Sequence, residues 1–201
     1  MQDDRQQVNA GEESPPPEEQ ESAQAEERRE LADKQAIEEL LSSKMASRRS
    51  STFPFGVLLV DIDGFDEINR KYGSKVGDEV LKRVGDVLQD TCRIEDTIAR
   101  YVDDSFLIIL PDTNAAGSII VGEKLIENVR SIEWRGTPVG GAITVSIGAT
   151  CMTQGTSLAL PELMAIVEEQ LQQAKEGGRD RMVMNTKQIA RLIEIIGEGW
   201  G

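Results

Sequence analysis

The order of apolar and polar positions divides the middle of the chain into short alternating elements. A continuous apolar run over residues 55–60 ends in the tripeptide Asp61-Ile62-Asp63, which predicts a buried strand with acids at its carboxyl end. Helices are predicted over residues 64–71, 76–91, 114–129 and 160–175, and further strands over residues 97–101, 106–110, 143–151 and 182–184. The alternation, with one hairpin at residues 97–110, predicts a mixed α/β or α+β sheet with helices packed on it.

The two ends of the chain have a different composition. The first 33 residues contain eleven acidic and three basic residues, a Ser-Pro-Pro-Pro run and almost no large apolar side chain. Such a segment buries too little surface to offset the entropy of ordering, so residues 1–24 are predicted to be a disordered acidic tail. Residues 187–201 are predicted to form a last helix, near residues 187–196, and a tail.

Residues 25–51 are predicted to form a helix and a polar linker. The helix has one apolar stripe, made of Leu31, Ile37, Leu40, Leu41 and Met45. Two interpretations fit this stripe: a helix packed on the domain that follows, or a short dimerising or signalling helix. The stripe covers too few heptads to predict a coiled coil.

The charge of the chain limits its partners. The net charge of the 201 residues is −14, and it remains negative without the acidic tail. Because like charges repel, we expect neither a nucleic-acid partner nor an anionic membrane surface, whereas a small nucleotide in a locally basic pocket is compatible with this charge. The chain has no histidine, which excludes Ser-His and Cys-His catalysis and Cys/His zinc sites. No apolar segment approaches about 18 residues, so we expect no membrane insertion and a cytoplasmic location.

Asp61 and Asp63 are the first candidate functional residues. A carboxylate at the end of a buried strand is a common Mg²⁺ ligand in phosphoryl-transfer sites, where the metal also contacts nucleotide phosphates. The alternative is structural, with one of the two acids capping the helix that begins near Gly64. The residue pair alone leaves both interpretations open.

The segments around these acids resemble the GGDEF domain family, the diguanylate cyclases. The stretch LLVDIDGFDEINRKYGSKVGDEVLKRVG matches the family pattern at Asp61, Asp63, Phe65, Ile68, Asn69, Gly73, Gly77, Asp78 and Leu81. The resemblance continues through RIEDTIARYVDDSFLIILPDT and ITVSIGAT and ends in AKEGGRDR. It implies a GGDEF domain over residues 52–186. The fold it implies is α+β, with a central, largely antiparallel sheet flanked by helices, related to nucleotidyl cyclases and the polymerase palm.

The same resemblance implies a metal and phosphate site. Asp61, the backbone carbonyl of Ile62 and Asp104 correspond to the metal ligands of the family, so Mg²⁺ is the expected cofactor if GTP binds. Lys175 and Arg179 correspond to the pair that neutralises the GTP phosphates. The alternative for this basic pair is ordinary charge at the end of a helix.

A guanine-recognising pair is implied at Asn69 and Asp78. An amide and a carboxylate together satisfy the acceptors and donors on the edges of guanine, and adenine would leave the carboxylate without a donor. The alternatives are a surface asparagine and a helix N-cap. Bound GTP is therefore an expectation of the resemblance.

The signature loop departs from the family pattern. It reads Val102, Asp103, Asp104, Ser105 and Phe106 where the family has Gly-Gly-Asp/Glu-Glu-Phe. Both glycines are gone, although a hairpin whose backbone approaches a nucleotide favours residues without a Cβ. Ser105 replaces the acid that participates in catalysis in the family, and a hydroxyl is a poor general base at neutral pH. Asp66 adds another acid where many family members have lysine. We therefore expect no catalytic residue in this degenerate loop.

An R-x-x-D motif, Arg93 to Asp96, stands at the family spacing before the loop. In active members of the family this motif is the inhibitory site for cyclic di-GMP, and in degenerate members it often serves as a receptor site. A guanidinium can donate a fork of hydrogen bonds to O6 and N7 of guanine, and Asp96 can accept from N1 and N2. Lys124 is the further basic residue expected to assist. The alternative is an ion pair at a helix end.

Three functions remain open at this stage. The first is a catalytically inactive cyclic di-GMP receptor that controls an unidentified protein partner. The second is an active or weakly active diguanylate cyclase, which converts two GTP to cyclic di-GMP and works as a homodimer. The third is a structural interaction module that has lost both sites.

Overall fold

The computed structural model describes residues 34–47, 53–153 and 158–185 of the protein. The acidic tail predicted over residues 1–24 and the helix predicted near residues 187–196 lie outside the described residues. The described part contains one sheet with helices on both of its faces. None of its helices is long and apolar enough to cross a membrane.

The helices and strands alternate in the order that the sequence predicts. The helices are α1 (Lys34–Ser47), α2 (Phe65–Tyr72), α3 (Ser74–Thr91), α4 (Ala115–Arg130) and α5 (Leu160–Glu176). The strands are β1 (Phe55–Ile62), β2 (Thr97–Arg100), β3 (Ser105–Pro111), β4 (Val145–Met152) and β5 (Met182–Met184).

The strands form a five-stranded sheet in the order β2-β3-β1-β4-β5. Strand β1 lies in the centre and pairs antiparallel with both β3 and β4, while β5 pairs parallel with β4. All eight residues of β1 are buried, as expected for a central strand covered on both faces. The predicted fold class, a largely antiparallel sheet flanked by helices, is confirmed.

The two faces of the sheet form two separate apolar cores. Helices α3 and α4 cover one face through a set of fully buried side chains that includes Val80, Val84, Leu88, Leu125 and Val129. Helix α5 covers the other face, where its buried residues Leu163 and Val167 pack against Val57 and Leu59 of β1. Because side chains alternate along β1, each face receives every second residue of the strand.

Helix α1 packs on the same face as α5. Ile37 and Leu41 are fully buried, one helical turn apart, and they belong to the α5-side core. Tyr101 donates a hydrogen bond from its hydroxyl to Glu38 over 3.1 Å, and the Lys34 ammonium lies 4.4 Å from the centre of the Tyr101 ring. Of the two interpretations of the apolar stripe, the structure supports a helix packed on the domain.

Two elements begin two residues away from the predicted position. Helix α3 was expected from residue 76 and begins at Ser74, because Gly73 both ends α2 and begins α3. Gly73 has a φ of 86°, which glycine adopts readily and other residues rarely do. Its N–H donates to the Asn69 carbonyl over 2.9 Å. Strand β4 was expected from residue 143 and begins at Val145.

Candidate functional site

The carboxyl end of β1 meets the β2–β3 hairpin at the edge of the sheet. Asp61 pairs with Ser105 in the β1–β3 register, and the Ile62 N–H donates to the Asp104 carbonyl over 3.4 Å. A cleft of about 560 Å³ opens at this edge. Its lining comprises Asp61, Ile62, Asp63, Gly64, Phe65, Asp66, Glu67, Arg70, Asp104, Lys175 and Arg179. The structure thus brings together the three residues predicted as metal ligands and the two predicted as phosphate ligands.

Asp61 is the most buried acid of this cleft, and it is paired. Its side chain accepts from the Lys175 ammonium, with Oδ1 and Nζ 2.6 Å apart. Burial raises the pKa of Asp61 above its usual value, the hydrogen bond and charge of Lys175 oppose that rise, and Asp63 and Asp66 add to it. Lys175 therefore supplies the positive charge that a buried carboxylate requires.

Asp104 faces Asp61 from the hairpin. Burial raises the pKa of Asp104, and the neighbouring Asp61 carboxylate raises it further. Two close carboxylates and the Ile62 carbonyl provide the hard oxygen donors that Mg²⁺ prefers. Within residues 34–47, 53–153 and 158–185, no group of three or more ligating side chains that could hold a metal is present. The donor set fits Mg²⁺ held by one or two carboxylates together with nucleotide phosphates.

Asp63 has a different environment from Asp61. Its Oδ1 accepts from the Ser146 hydroxyl over 2.7 Å, and its Oδ2 accepts from the Thr144 hydroxyl over 2.7 Å and from the Asp180 N–H over 3.1 Å. Both oxygens are thus occupied by protein donors. The alternative that one of these acids caps the following helix is wrong, because the N-cap of α2 is Gly64, without a side-chain cap, and both Asp63 oxygens bind other segments. The role of Asp61 as a metal ligand stays a prediction.

The Asn69 side chain of α2 lies against Gly77 in the first turn of α3, and Asp78 is the next residue along that helix. A Cβ at Gly77 would stand closer than 3.0 Å to the Asn69 amide, so a larger residue there would displace the Asn69 side chain. The Asn69 Oδ1 atom is buried without a hydrogen-bond partner in the described part of the chain, and the Asp78 side chain is exposed. The two residues are outside the lining of the acidic cleft. Their role in guanine recognition stays a prediction.

The signature hairpin is closed by its own backbone and by Ser105. The Tyr101 N–H donates to the Ser105 carbonyl over 2.9 Å, and the Ser105 N–H donates to the Val102 carbonyl over 2.8 Å. The Ser105 hydroxyl accepts from the Val102 N–H over 3.1 Å and donates to the Val102 carbonyl over 2.7 Å. Ser105 is only 6% exposed. Ser105 stands at the position of the family's acid, and its buried hydroxyl makes two hydrogen bonds with the backbone of Val102.

Only one of the two lost glycines stands where the backbone requires a left-handed conformation. Asp103 has a φ of 45°, a region that L-residues other than asparagine and aspartate rarely adopt, whereas Val102 has no positive φ. The Asp103 carbonyl accepts from the Arg100 guanidinium. The tip of the hairpin therefore keeps a glycine-type conformation with an acidic residue in it.

The R-x-x-D motif forms a compact turn between α3 and β2. Asp96 Oδ2 accepts from the Arg93 N–H over 2.8 Å, and the Asp96 N–H donates to the Arg93 carbonyl over 3.1 Å. The Asp96 carboxylate thus binds the backbone of Arg93 rather than its guanidinium. Arg93 is exposed, and its guanidinium makes no ion pair with any described residue. The ion pair offered as the alternative for this motif is absent from the described residues.

Lys124 and Asp96 both act on the Cys92 thiol, which lies beside the turn. Burial raises the pKa of Cys92 to about 12, Asp96 raises it as well, and Lys124 lowers it. An exposed ammonium from α4 therefore lies near the Arg93–Asp96 turn, and its role in ligand binding stays a prediction. A raised pKa lowers the fraction of Cys92 that is present as thiolate at neutral pH.

Two hydroxyls and one guanidinium of the site were not identified from the sequence. Thr144 and Ser146 bind Asp63, and Arg70 lines the cleft from the last turn of α2. A signal for the hydroxyls was present, because residues 144 and 146 alternate with Val145 and so lie on one face of the strand end.

The family model described as "Diguanylate cyclase, GGDEF domain" matches residues 29–181. The match extends from before α1 to the turn after α5, and it covers well over half of the chain. The protein therefore belongs to the GGDEF domain family, and the resemblance drawn from its sequence motifs is confirmed.

The protein is similar to several known members. The uncharacterized protein YtrP of Bacillus subtilis is 30% identical over 156 residues, which cover 78% of this chain and 25% of that protein. Diguanylate cyclase A of Treponema denticola is 29% identical over 160 residues, which cover 77% of this chain and 41% of that protein. The solved GGDEF domain of DgcB from Caulobacter crescentus, in complex with c-di-GMP, is 28% identical with a TM-score of 0.70, covering 77% of this chain and 91% of that chain. The chain spans less than half the length of these two curated relatives.

Proposed function

We propose that this protein is a cyclic di-GMP receptor without cyclase activity, and that the ligand binds at the Arg93–Asp96 turn. The observation that carries the proposal is the geometry of this turn. Two hydrogen bonds between Asp96 and the backbone of Arg93 fix the shape of the turn. The Arg93 guanidinium makes no ion pair with an acid of the described residues, so its charge is available to a ligand. A binding group that is already ordered loses less entropy when the ligand arrives.

The chemistry of the turn suits one guanine base of the ligand. The planar guanidinium of Arg93 donates two parallel hydrogen bonds to O6 and N7 and offers a face on which the second base stacks. One Asp96 oxygen accepts from the Arg93 N–H, so the other can accept from guanine N1 and N2. Lys124 supplies a positive charge for the phosphates of the ligand.

The absence of cyclase activity is proposed from the hairpin. Ser105 stands where the family has a catalytic acid, and its hydroxyl is buried and committed to Val102. A hydroxyl with a pKa far above neutrality does not remove a proton from a ribose hydroxyl at a useful rate. Asp66 and Asp103 add negative charge near the proposed positions of the phosphates and oppose GTP further.

Residual GTP binding is part of the proposal. Asp61, Asp104 and the Ile62 carbonyl would hold Mg²⁺, which would neutralise phosphate charge when bound. Lys175 would then move its ammonium from Asp61 to a phosphate, and Arg179 would contact a second one. Asn69 and Asp78 would select guanine. Such a site would explain why acids and basic residues line the same cleft, and it would bind GTP without converting it to product.

Calorimetric titration tests the receptor function. Cyclic di-GMP is titrated into the parent protein and into Arg93→Ala, Arg93→Lys and Asp96→Ala. A bidentate guanine contact is worth about 1–3 kcal/mol, so Arg93→Ala is expected to weaken binding about ten-fold or more. Arg93→Lys is expected to rescue little, because an ammonium neither forks nor stacks as a guanidinium does.

The matched control is Asp104→Ala, which removes an acid from the cleft and leaves the turn intact. It is expected to bind cyclic di-GMP as the parent does. Equal affinity of the parent and Arg93→Ala would overturn the receptor function. If the parent binds neither cyclic di-GMP nor GTP, the structural interaction module is favoured. Its function would then be to bind an unidentified protein partner.

A weakly active diguanylate cyclase is the second candidate. It is favoured by one observation, which is that Asp61, Asp104, Lys175 and Arg179 line the same cleft. This activity requires two GTP-loaded copies to meet, so it predicts a homodimer in the presence of GTP and Mg²⁺. Conversion of GTP to cyclic di-GMP by the parent protein, followed by chromatography, separates it from the first candidate.

A further inference from the structure

The Asp63 carboxylate joins three segments that are distant in the sequence. It follows β1, and it accepts from Thr144 just before β4, from Ser146 in β4 and from the Asp180 N–H beyond α5. A carboxylate with three protein donors at 2.7–3.1 Å has little capacity left for a metal. Its position beside Asp61 in the sequence therefore does not make it a second metal ligand.

The segment that Asp63 holds has an unusual backbone. Arg179 and Asp180 have φ values of 62° and 50°, so two consecutive residues other than glycine are left-handed. Residues with a side chain adopt this conformation only when their surroundings fix it. The Arg179 N–H donates to the Ala174 carbonyl over 3.0 Å, and Asp63 binds the next N–H along the chain.

This turn determines where the Arg179 side chain lies. Arg179 lines the acidic cleft, and its side chain is exposed. The adjacent Asp180 is also held by Arg130, whose guanidinium donates to Asp180 Oδ2 over 2.7 Å. The turn is therefore fixed between the end of β1 and the end of α4, and the only side-chain acceptor of the Asp180 N–H among the described residues is Asp63.

We propose that Asp63 is a positioning residue for nucleotide phosphates, and that it acts by holding the 179–180 turn so that Arg179 points into the cleft. This inference rests on the residual GTP binding proposed above. Without Asp63, the Asp180 N–H loses its acceptor and the two left-handed residues relax. The Arg179 guanidinium then has no fixed place at the phosphates, and GTP affinity falls although Arg179 itself is unchanged.

The experiment measures GTP affinity with Mg²⁺ for Asp63→Ala, Asp63→Asn, Arg179→Ala and the double variant Asp63→Ala/Arg179→Ala. Asp63→Ala is expected to weaken GTP binding about ten-fold, the effect of losing one charge-assisted phosphate contact. The double variant is expected to bind no more weakly than Arg179→Ala, because the two residues act through one contact.

The conservative variant Asp63→Asn separates positioning from charge. Its amide oxygen can accept from Asp180 and Thr144, and its amide nitrogen can donate to the Ser146 hydroxyl, so the turn remains closed. We expect its GTP affinity to stay within about two-fold of the parent. A loss as large as that of Asp63→Ala would overturn the inference in favour of a direct role of the negative charge at the metal.

Amide hydrogen exchange and a stability control complete the test. The Asp180 amide is expected to exchange faster in Asp63→Ala than in the parent and Asp63→Asn. Asn114→Ala removes the N-cap of α4, whose side chain accepts from Gly117, and lowers stability with GTP affinity unchanged. If Asp63→Ala does not fold, Thr144→Val, which frees one side of Oδ2, is expected to weaken GTP binding in the same direction by a smaller factor.

The outcome is independent of the receptor function. Every variant in this series retains Arg93 and Asp96, so cyclic di-GMP affinity is expected to be unchanged throughout. If the parent does not bind cyclic di-GMP, the receptor function is refuted, but the GTP affinities of the variants still test the role of Asp63. A parent that does not bind GTP, or additive losses in the double variant, would overturn the role of Asp63.

Discussion

The Asp61 carboxylate and the Lys175 ammonium lie 2.6 Å apart, at the carboxyl end of the central strand and in the last turn of α5. In the proposed nucleotide site, these residues belong to different partners, Asp61 to the metal and Lys175 to the phosphates. In the protein itself they neutralise each other. In the proposed site, binding of Mg²⁺ and GTP would separate this pair, and the strength of the pair would set part of the free-energy cost of nucleotide binding.

Replacement of Lys175 is expected to destabilise the protein in a pH-dependent manner. In Lys175→Met the largely buried Asp61 loses its cation, at a cost of about 1–3 kcal/mol, between the values for exposed and buried pairs. The loss of Lys175 raises the pKa of Asp61 further above its usual value of 3.8. Urea unfolding of parent and variant over a pH series measures the effect.

The sign of the pH dependence follows from the raised pKa. An acid whose pKa is higher in the folded state adds stability below its unfolded pKa, and this contribution is lost as the pH rises through the folded pKa. The difference between parent and Lys175→Met should therefore be largest at neutral pH and shrink as the pH falls toward 3.8. A constant difference would contradict the pairing. Arg135→Met, which breaks the exposed pair with Glu133, is the control and should change stability very little.

Gly148 is expected to be essential for the packing of α5 on β4. A Cβ at this position would lie closer than 3.0 Å to the backbone of Val167 and Leu171, and backbone cannot rotate away as a side chain can. Gly148→Ala should therefore lower the free energy of unfolding by about 3 kcal/mol or more. Gly140→Ala is the matched control, because nothing lies within 4 Å of its Cβ position, and should change it by about 0.5 kcal/mol or less. Thermal unfolding of the two variants tests the contrast.

The hairpin should respond differently to glycine at its two substituted positions. Asp103 has a φ of 45°, so Asp103→Gly removes backbone strain and should stabilise the protein by up to about 1 kcal/mol. Val102 has no positive φ, so Val102→Gly gains nothing in the folded state and should destabilise by about 0.5–1 kcal/mol. Equal effects of the two substitutions, measured by denaturant unfolding, would contradict the observed turn.

The sequence predicted most of the fold because its elements are strongly patterned. The continuous apolar run of β1 and the stripe of Val80, Val84 and Leu88 in α3 each identify one element type. The packing of α1 on the sheet was left open, because Ile37 and Leu41 have the same spacing in a packed helix and in a dimerising one. Only the contacts with the α5-side core distinguish the two.

The candidate site was predictable in its membership and less so in its geometry. The motifs named Asp61, Asp104 and Lys175, and these line one cleft. They could not reveal that Lys175 binds Asp61, because residues 114 positions apart show no pairing in a single sequence. The hydrogen bonds of Ser105 were hidden for another reason, since they depend on the turn geometry and not on the residue type.

Cyclase activity is expected to require repair of the whole loop. Ser105→Glu alone should yield no turnover of GTP, because Ser105 is 6% exposed and its hydroxyl closes the turn through Val102. A larger side chain at this position must leave the turn, which removes both hydrogen bonds and costs about 1–3 kcal/mol. The backbone at Asp103 already has the left-handed conformation, so glycine there supplies room for the nucleotide and lowers the negative charge.

The triple variant Val102→Gly/Asp103→Gly/Ser105→Glu is therefore expected to convert GTP to cyclic di-GMP with Mg²⁺, whereas the parent and Ser105→Glu do not. Chromatography of the products measures it, and the same triple variant with Asp61→Asn is the control, expected to be inactive because its metal ligand is lost. Turnover by the parent at a rate similar to the triple variant would show that the substituted loop does not prevent catalysis.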